Sequence, residues 1–246
     1  MNSKNKTIRI LGVLIFSVGV LAGMVLLGIV VWGDFEANMF DPSVKQDASL
    51  TTLRCPVMIT EAETATVTAT FTNPLERPIE LYTRAHITEG YVTLMREIIT
   101  TLSLDPGETK PLHWTVTSDD AAFGRLVLVK VTVNRKYPLP SRQGTCGILV
   151  VGLPYFTGNQ IFAFTLAASL LIMAGGAGLW VAANRPLKDL GQEVIVAMGV
   201  LAGSVLLGTI LGLRGSWLFG GLIFVITVLL VGAIIGYFVN RGGKEQ

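Results

Sequence analysis

The sequence predicts a membrane protein with four transmembrane α-helices and an all-β sandwich domain inserted between the first and second helices. Two observations predict this fold. Four apolar runs are each long enough to cross a bilayer, and the polar stretch after the first run alternates Thr with Val, Ala and Leu. Composition agrees, because 51% of the residues are hydrophobic and only 15% are charged, whereas soluble domains carry about 25% charged residues.

The four apolar runs have the length that a bilayer requires. An α-helix rises about 1.5 Å per residue, so about 20 residues cross the roughly 30 Å hydrocarbon layer. The predicted transmembrane helices are residues 10–32, 161–183, 194–213 and 217–239. The first run exceeds the roughly 7–15 apolar residues of a signal peptide, and no small-x-small cleavage site follows it. We therefore expect an uncleaved anchor.

The bias of Lys and Arg towards cytoplasmic flanks predicts the orientation. Among the short flanks of the helices, the opposite side carries only Arg214, in the tight turn between the last two helices. The basic residues of the other flanks are Lys4, Lys6, Arg9, Arg185, Lys188, Arg241 and Lys244. Both termini are therefore predicted to be cytoplasmic and residues 34–155 extracytoplasmic, in the cell membrane. The single N-x-S/T sequon, at Asn5, falls in the predicted cytoplasmic tail. The predicted external domain therefore has no glycosylation sequon, which fits a prokaryote.

The remaining segments take their expected roles from this topology. We expect a cytoplasmic tail, a juxtamembrane linker, the extracytoplasmic sandwich, a cytoplasmic loop and a second cytoplasmic tail. In that order they are residues 1–9, 33–49, 50–152, 184–193 and 240–246.

The cysteines agree with an external domain. Cys55 and Cys146 are the only two in the chain, and both fall in the compartment where oxidising conditions favour disulfides. A bridge between them would tie the first predicted strand to the last, and closing so long a loop is worth about 4–5 kcal/mol in the chain-entropy model. Two unpaired buried thiols are the alternative.

The strand signals recur at the spacing of a sandwich. Residues 64–72 are the clearest case, because apolar and Thr side chains alternate with the period of two that places them on opposite faces of a strand. The predicted strands are residues 53–59, 64–72, 79–87, 91–95, 98–104, 112–116, 125–134 and 145–151. Seven or eight short strands in about 100 residues, with Trp114 as a buried candidate, are typical of an immunoglobulin-like sandwich.

Two turn motifs carry a resemblance to known domains. Residues 73–79 read Asn-Pro-Leu-Glu-Arg-Pro-Ile, and residues 104–109 read Leu-Asp-Pro-Gly-Glu-Thr. Together they resemble bacterial and archaeal immunoglobulin-like modules of the adhesion-related and fibronectin-III-like groups. The resemblance covers residues of about 50–152 and implies a fold rather than an activity. Cys146 falls in the last predicted strand, which departs from the antibody pattern.

Small residues line all four predicted helices. Lipid offers no hydrophobic driving force between helices, so association depends on close packing, which glycine permits. We predict that the third and fourth helices form an antiparallel hairpin through their glycines, and that the first helix offers a second surface to the hairpin or to a partner. Unspecialised packing is the alternative. The glycines are Gly19, Gly23, Gly199, Gly203, Gly208, Gly212, Gly232 and Gly236.

Residue patterns that support catalysis are sparse. No ionisable residue lies in the middle of an apolar run, which disfavours proton-coupled transport and intramembrane proteolysis. His86 and His113 lack the spacing of a metal site and are expected to be partnered or solvent-facing. The embedded Ser and Thr hydroxyls are expected to bond to their own helix backbone. The sequence therefore predicts no enzyme, no cofactor or metal and, with a net charge of +2, no nucleic acid partner.

A basic loop before the last strand is the candidate contact site of the external domain. Arg135, Lys136, Tyr137 and Arg142 suit an acidic partner or lipid headgroups; a plain hairpin tip is the alternative. We expect a non-enzymatic accessory or structural subunit of a prokaryotic membrane complex, in contact with the lipid bilayer and with other membrane subunits or copies of itself. The alternatives are an anchored receptor or adhesion module, and an oligomeric small-solute channel or transporter.

Overall fold

The computed structural model describes residues 3–42, 48–134, 138–187 and 189–242. The chain divides into two compact units. The helical unit comprises Met1–Val31 and Ala163–Gln246, and the β unit comprises Trp32–Phe162.

Four helices are long and apolar enough to cross a membrane, so the chain has the length and composition of a membrane protein. The helices are α1 (Ser3–Met39), α2 (Gly158–Ala183), α3 (Asp189–Leu213) and α4 (Trp217–Gly242). Their candidate spans are Thr7–Met39, Gly158–Ala183, Gly191–Leu213 and Trp217–Tyr237. The prediction of four such helices is confirmed.

Helix α1 differs from its prediction. A linker was expected from residue 33, but the helix continues to Met39. The physical reason is a packing surface within the β unit: Ala37 and Phe40 are buried against Leu128. The acidic and amide residues between 34 and 38 interrupt the apolar run, and they concealed this extension in the sequence.

The described strands form two sheets. They are β1 (Ala48–Ser49), β2 (Met58–Thr60), β3 (Ala65–Thr72), β4 (Ile79–Glu89), β5 (Tyr91–Leu104), β6 (Thr109–Val116), β7 (Leu126–Val133) and β8 (Arg142–Val151). The larger sheet has the order β1-β8-β7-β4-β5, with β2 also paired to β8, and β3 pairs with β6 in the smaller sheet. β1 and β2 run parallel to β8, and the other pairs are antiparallel.

Side chains from both sheets share one hydrophobic core. In β3 the apolar residues from Ala65 to Phe71 point inward while the intervening threonines are more exposed, as the alternation predicts. Trp114 of β6 is buried in the same core. Fully buried side chains of both sheets include Val67, Ile87, Val116, Val127, Val129 and Ile148. Burying each valine or isoleucine contributes about 1.5–3 kcal/mol.

Several strands depart from their predicted bounds, and two differences have a clear physical reason. The strands expected at residues 91–95 and 98–104 are one continuous strand, because β5 pairs with β4 along its length, with one irregularity at Thr88 and Glu89. The strand expected at residues 53–59 is reduced to β2. Pro56 explains the loss, since proline has no N–H to donate to a ladder.

Asn73 joins the two turn motifs noted in the sequence. Its buried side-chain amide donates hydrogen bonds to the carbonyl oxygens of Arg77, Leu104 and Asp105, at 2.9, 3.1 and 3.0 Å. Its backbone carbonyl accepts a bond from the N–H of Gly107, which has a φ of +72° that favours glycine. The Asn-Pro turn and the Pro-Gly turn therefore form one hydrogen-bonded end of the β unit.

In the helical unit, α1 packs closely on α2 and α3. A methyl group at Gly19 would lie 2.8 Å from the backbone nitrogen of Met173, and one at Gly23 would lie 2.6 Å from Val205 Cγ1. Both approaches are shorter than real side chains show, so these glycines permit the packing. Ser169 of α2 adds a hydrogen bond from its hydroxyl to the carbonyl oxygen of Gly19, at 2.8 Å.

α3 and α4 pack on each other as expected, but only some of the predicted glycines lie at their contact. A methyl group at Gly199, Gly203, Gly232 or Gly236 would meet nothing within 4 Å. Two others are in contact: Gly208 lies beside Leu27 and Ile223, and Gly212 lies beside Val30 and Gly220. The reason is that the buried face of α3 consists of larger residues, among them Met198, Leu201 and Val205.

The embedded hydroxyls mostly bond to their own helix, as expected. Ser204, Thr209 and Thr227 donate to carbonyl oxygens three or four residues earlier, at 2.9, 2.8 and 2.7 Å. Ser169, which bonds across to α1, is the exception among these four.

Candidate functional site

The disulfide is the predicted site feature that the structure confirms. Cys55 and Cys146 are bonded across a separation of 91 residues. Cys146 lies in β8, but Cys55 lies in the segment before β2 rather than in a strand. The bridge therefore fixes this irregular segment to β8, and not a first strand to a last one as expected.

The end of α1 lies against β7. Lys130, whose side chain is almost fully buried at 2% exposure, donates hydrogen bonds to the carbonyl oxygens of Phe40 and Asp41, at 3.2 and 2.6 Å. Asp41 has a φ of +46°, the left-handed conformation that commonly ends a helix. The last carbonyls of a helix lack intrahelical partners and carry partial negative charge, so an ammonium group is well placed there.

Burial lowers the pKa of the Lys130 ammonium from its usual value of 10.5, and the nearby Asp41 carboxylate partly opposes this effect. The ammonium keeps its place because two carbonyl oxygens and one carboxylate surround it. A buried charge without such partners would cost far more free energy.

A histidine extends this arrangement onto β4. His86 Nδ1 lies 2.5 Å from Asp41 Oδ2, and His86 Nε2 lies 3.3 Å from Glu97 Oε1. Arg84 Nε lies 2.7 Å from the same Glu97 oxygen. We call Asp41, His86, Glu97 and Lys130 the helix-end cluster.

The helix-end cluster places a carboxylate oxygen at each ring nitrogen of His86, so the ring is held between Asp41 and Glu97. Among the described residues, no group of three His, Cys, Asp or Glu side chains could hold a metal ion. His113 bonds to Thr68 Oγ1 on the exposed face, at 3.1 Å.

Backbone meets backbone where α1 crosses β8. A methyl group at Gly147 would overlap the carbonyl group of Gly33, and one at Gly33 would lie 3.2 Å from the carbonyl oxygen of Gly147. The buried Asp34 accepts a weak hydrogen bond from the Gly147 N–H, at 3.4 Å. This glycine pair brings α1 onto the sheet, and the sequence pattern gave no sign that the two glycines meet.

The start of α2 is also bonded to the β unit. Glu63 Oε2 accepts hydrogen bonds from the N–H groups of Gly158 and Thr60, at 2.8 and 3.1 Å. A carboxylate is stabilising at a helix N-terminus, because the first N–H groups have no intrahelical partner. Thr157 and Gln160 complete the cap with reciprocal backbone-to-side-chain bonds of 3.0 and 3.3 Å.

The sequence alone did not predict the contacts of α1 with β7 and β8, or the hydrogen bonds at the start of α2. Lys130 alternates with buried valines in β7, on the outer face of the strand opposite to them, and the sequence pattern indicated no partner for it. One signal was present: Leu128 is an apolar residue on that outer face, which a solvated strand does not require.

The structure places little of the predicted contact loop. Arg135, Lys136 and Tyr137 lie outside the described residues. Arg142 begins β8, where it is exposed and lies opposite Val133.

No protein-family model and no curated protein matches the sequence. Among solved structures, the chain is similar to Bacteroides uniformis β-glucuronidase 2 covalently bound to cyclophellitol-6-carboxylate aziridine, with 22% identity and a TM-score of 0.29. It is also similar to a second structure of Bacteroides uniformis β-glucuronidase, with 19% identity and a TM-score of 0.29. Each similarity covers 37% of this chain and 12% of the glucuronidase. Similarity at this level carries no argument about fold or activity.

Proposed function

We propose that this protein is a non-enzymatic accessory subunit of a prokaryotic membrane complex. Its four helices pack against other membrane subunits, and its external domain braces their outer face. Both termini are cytoplasmic, as the distribution of Lys and Arg favours. The external domain is an immunoglobulin-like sandwich, supported by two sheets around one core and by the disulfide.

The observation that carries the proposal is the division of the membrane glycines into two sets. Gly19 and Gly23 are used inside the chain, where their lack of a side chain is required. Gly199 and Gly203 of α3, and Gly232 and Gly236 of α4, have open space in front of them. Each of these pairs has the spacing that lets a second helix approach closely.

The exposure of α4 supports the same conclusion. In the most apolar 18-residue stretch of α4, only 11% of the residues are buried inside the chain. In the corresponding stretch of α1 the share is 39%. A single anchor helix would suffice to hold an external receptor domain. Three further helices, one of them with most of its apolar stretch exposed, fit assembly with other subunits better.

Native purification in a mild detergent tests the proposal. The wild-type chain should co-migrate with other membrane polypeptides, which mass spectrometry can identify. The variant Gly199→Leu/Gly203→Leu should keep the thermal stability of the wild type, because its new side chains enter open space, and it should lose the partner.

The matched control is Gly19→Leu, which places a side chain against the backbone of Met173. This variant should lose thermal stability in the purified chain. A wild-type chain that migrates alone, or undiminished co-purification of the Gly199→Leu/Gly203→Leu variant, would contradict the proposal.

A further inference from the structure

We propose that one end of the β unit contacts the lipid surface through an aromatic tip, formed by Tyr91, Val92 and Phe123, which lies in the headgroup layer of the bilayer. Tyr91 and Val92 begin β5 directly after the β4–β5 turn, and Phe123 lies in the β6–β7 connection. The exposed fraction of Phe123 is 68% and that of Tyr91 is 56%. Large aromatic side chains with this exposure are candidates for a contact surface.

Strand register places the aromatic tip at the end of the sheet from which the chain enters α2. Leu149, close to the end of β8, lies opposite Leu126 at the start of β7. β4 runs antiparallel to β7, so the β4–β5 turn at Gly90 falls at this same end. Only six residues separate the end of β8 from α2, a candidate membrane span that begins at residue 158, so chain connectivity keeps this end of the sheet close to the start of that span.

The two connections are joined into one structure. The backbone N–H of Phe123 donates a hydrogen bond to the carbonyl oxygen of Gly90, at 2.9 Å. The rings of Tyr91 and Phe123 meet edge to face, with centroids 5.6 Å apart. The aromatic tip is therefore a formed surface and not a pair of separate side chains.

The backbone of Phe123 gives a second, independent observation. Its φ is +53°, a left-handed conformation that a bulky residue rarely adopts. Asn or Gly would suit this position better in water, both for the backbone and for the exposed surface. A lipid contact explains why an aromatic residue occupies a position that costs free energy in water.

Buried polar contacts hold the connection that carries Phe123. Asp120 accepts hydrogen bonds from the Arg96 guanidinium through both carboxylate oxygens, at 3.0 and 3.2 Å, and from the Thr117 N–H at 2.8 Å. Arg96 also donates to the carbonyl oxygen of Thr115, at 3.1 Å. The aromatic ring is thus presented from a fixed turn.

Other aromatic residues near this end favour lipid over a protein partner. Trp32 lies next to the contact of Gly33 with β8, and Tyr155 and Phe156 lie between β8 and α2. All three are exposed. Aromatic residues are enriched at the membrane–water interface, where their amphipathic rings are stabilised.

Depth-dependent fluorescence quenching tests the proposal in the full-length protein. Single cysteines replace Phe123, Tyr91 or, as a control, Glu76 and are labelled with an NBD maleimide; Cys55 and Cys146 do not react because they are bonded. The labelled proteins are reconstituted in phosphatidylcholine vesicles with and without nitroxide-headgroup lipid in both leaflets. Glu76 is exposed and follows β3, at the opposite end of the β unit.

We expect blue-shifted emission at positions 123 and 91, with strong loss of intensity when the nitroxide lipid is present, and neither effect at position 76. Two tip positions are used so that a disturbed turn in Phe123→Cys does not decide the result. Red, unquenched emission at both tip positions would overturn the proposal. Blue-shifted emission that the nitroxide lipid does not quench would also overturn it, since that result indicates contact with a second copy of the chain.

Discussion

At the scale of single residues, Lys130 shows how a buried charge finds hydrogen-bond partners. Its side chain points from β7 to the end of α1, and the carbonyl oxygens of Phe40 and Asp41, directly after the helix, accept its hydrogen bonds. The buried ammonium gains partners, and these carbonyl oxygens gain a donor. Removing the ammonium group would leave these carbonyl oxygens without a donor, and removing the carbonyl oxygens would leave the ammonium group without these acceptors.

Lys130→Met therefore should destabilise the β unit. Hydrogen bonds from a charged donor contribute roughly 1.5–3 kcal/mol, partly offset because the variant no longer buries a charge. We expect a net loss of about 1–2 kcal/mol in the free energy of unfolding. The matched control is Lys110→Met, which removes an exposed lysine paired with Glu108. Equal unfolding midpoints for the two variants in a denaturant titration would contradict the role given to Lys130.

The lowered pKa of Lys130 also predicts a pH dependence. In the window between the folded pKa and the usual value of 10.5, the unfolded chain binds more protons than the folded chain. Stability contributed by this group should therefore rise with pH through that window and be constant below it. The measurement is the difference in unfolding midpoint between wild type and Lys130→Met as pH is raised. A difference that favours the wild type less at higher pH would contradict this assignment.

The contact of Gly147 with Gly33 sets a second test at this scale. Gly147→Ala places a methyl group into backbone, which cannot move as a flexible side chain can. We expect a loss of about 1–3 kcal/mol, the usual cost of overpacking. Gly152→Ala is the control, since its methyl group would meet only the end of the Glu61 side chain, at 3.2 Å. A thermal melt in which both variants resemble the wild type would show that α1 does not lie on β8.

At the scale of elements, hydrophobic patterning predicted most of the β unit. The alternation in β3 and β7 depends on neighbouring residues in the chain, so the sequence alone reveals it. The extension of α1 could not be predicted in this way. It depends on Leu128, which lies far away in the sequence, and the pattern along the chain does not show that α1 packs there.

The helices show the same limit. Glycine spacing predicts that backbones can approach closely, but it does not identify the neighbouring helix. Gly19 and Gly23 meet α2 and α3, whereas Gly199 and Gly203 meet nothing. The choice depends on which faces carry the larger buried residues, such as Met198 and Val205. The neighbour of each glycine therefore depends on how all four helices pack together.

Ser169 tests the packing of α1 on α2. Ser169→Ala removes a hydrogen bond between two helices, and such bonds contribute about 0.6 kcal/mol on average in membrane proteins. Ser204→Ala is the control, because it also removes a hydroxyl, but one that bonds within its own helix. We expect a measurable loss of thermal stability only for Ser169→Ala. A larger loss for Ser204→Ala would contradict the packing of α1 on α2.

At the scale of the whole molecule, the orientation in the membrane is a prediction that labelling can decide. Single cysteines replace Ser3, Ser141 or Lys244, and intact cells are treated with an impermeant thiol reagent. We expect modification at Ser141→Cys only, since that position belongs to the external domain. Modification of either tail would contradict the orientation.

The central claim is that the open glycine faces of α3 and α4 meet another polypeptide, and site-specific photo-crosslinking in living cells tests it most directly. Benzoylphenylalanine at Leu207, one turn after Gly203, or at Leu229, beside Gly232, occupies an exposed position next to an open face. The control position is Val25, exposed on α1. We predict covalent adducts with a different membrane polypeptide at positions 207 and 229, and none at 25. Absence of any protein adduct at both positions, or the same adduct at position 25, would contradict the account.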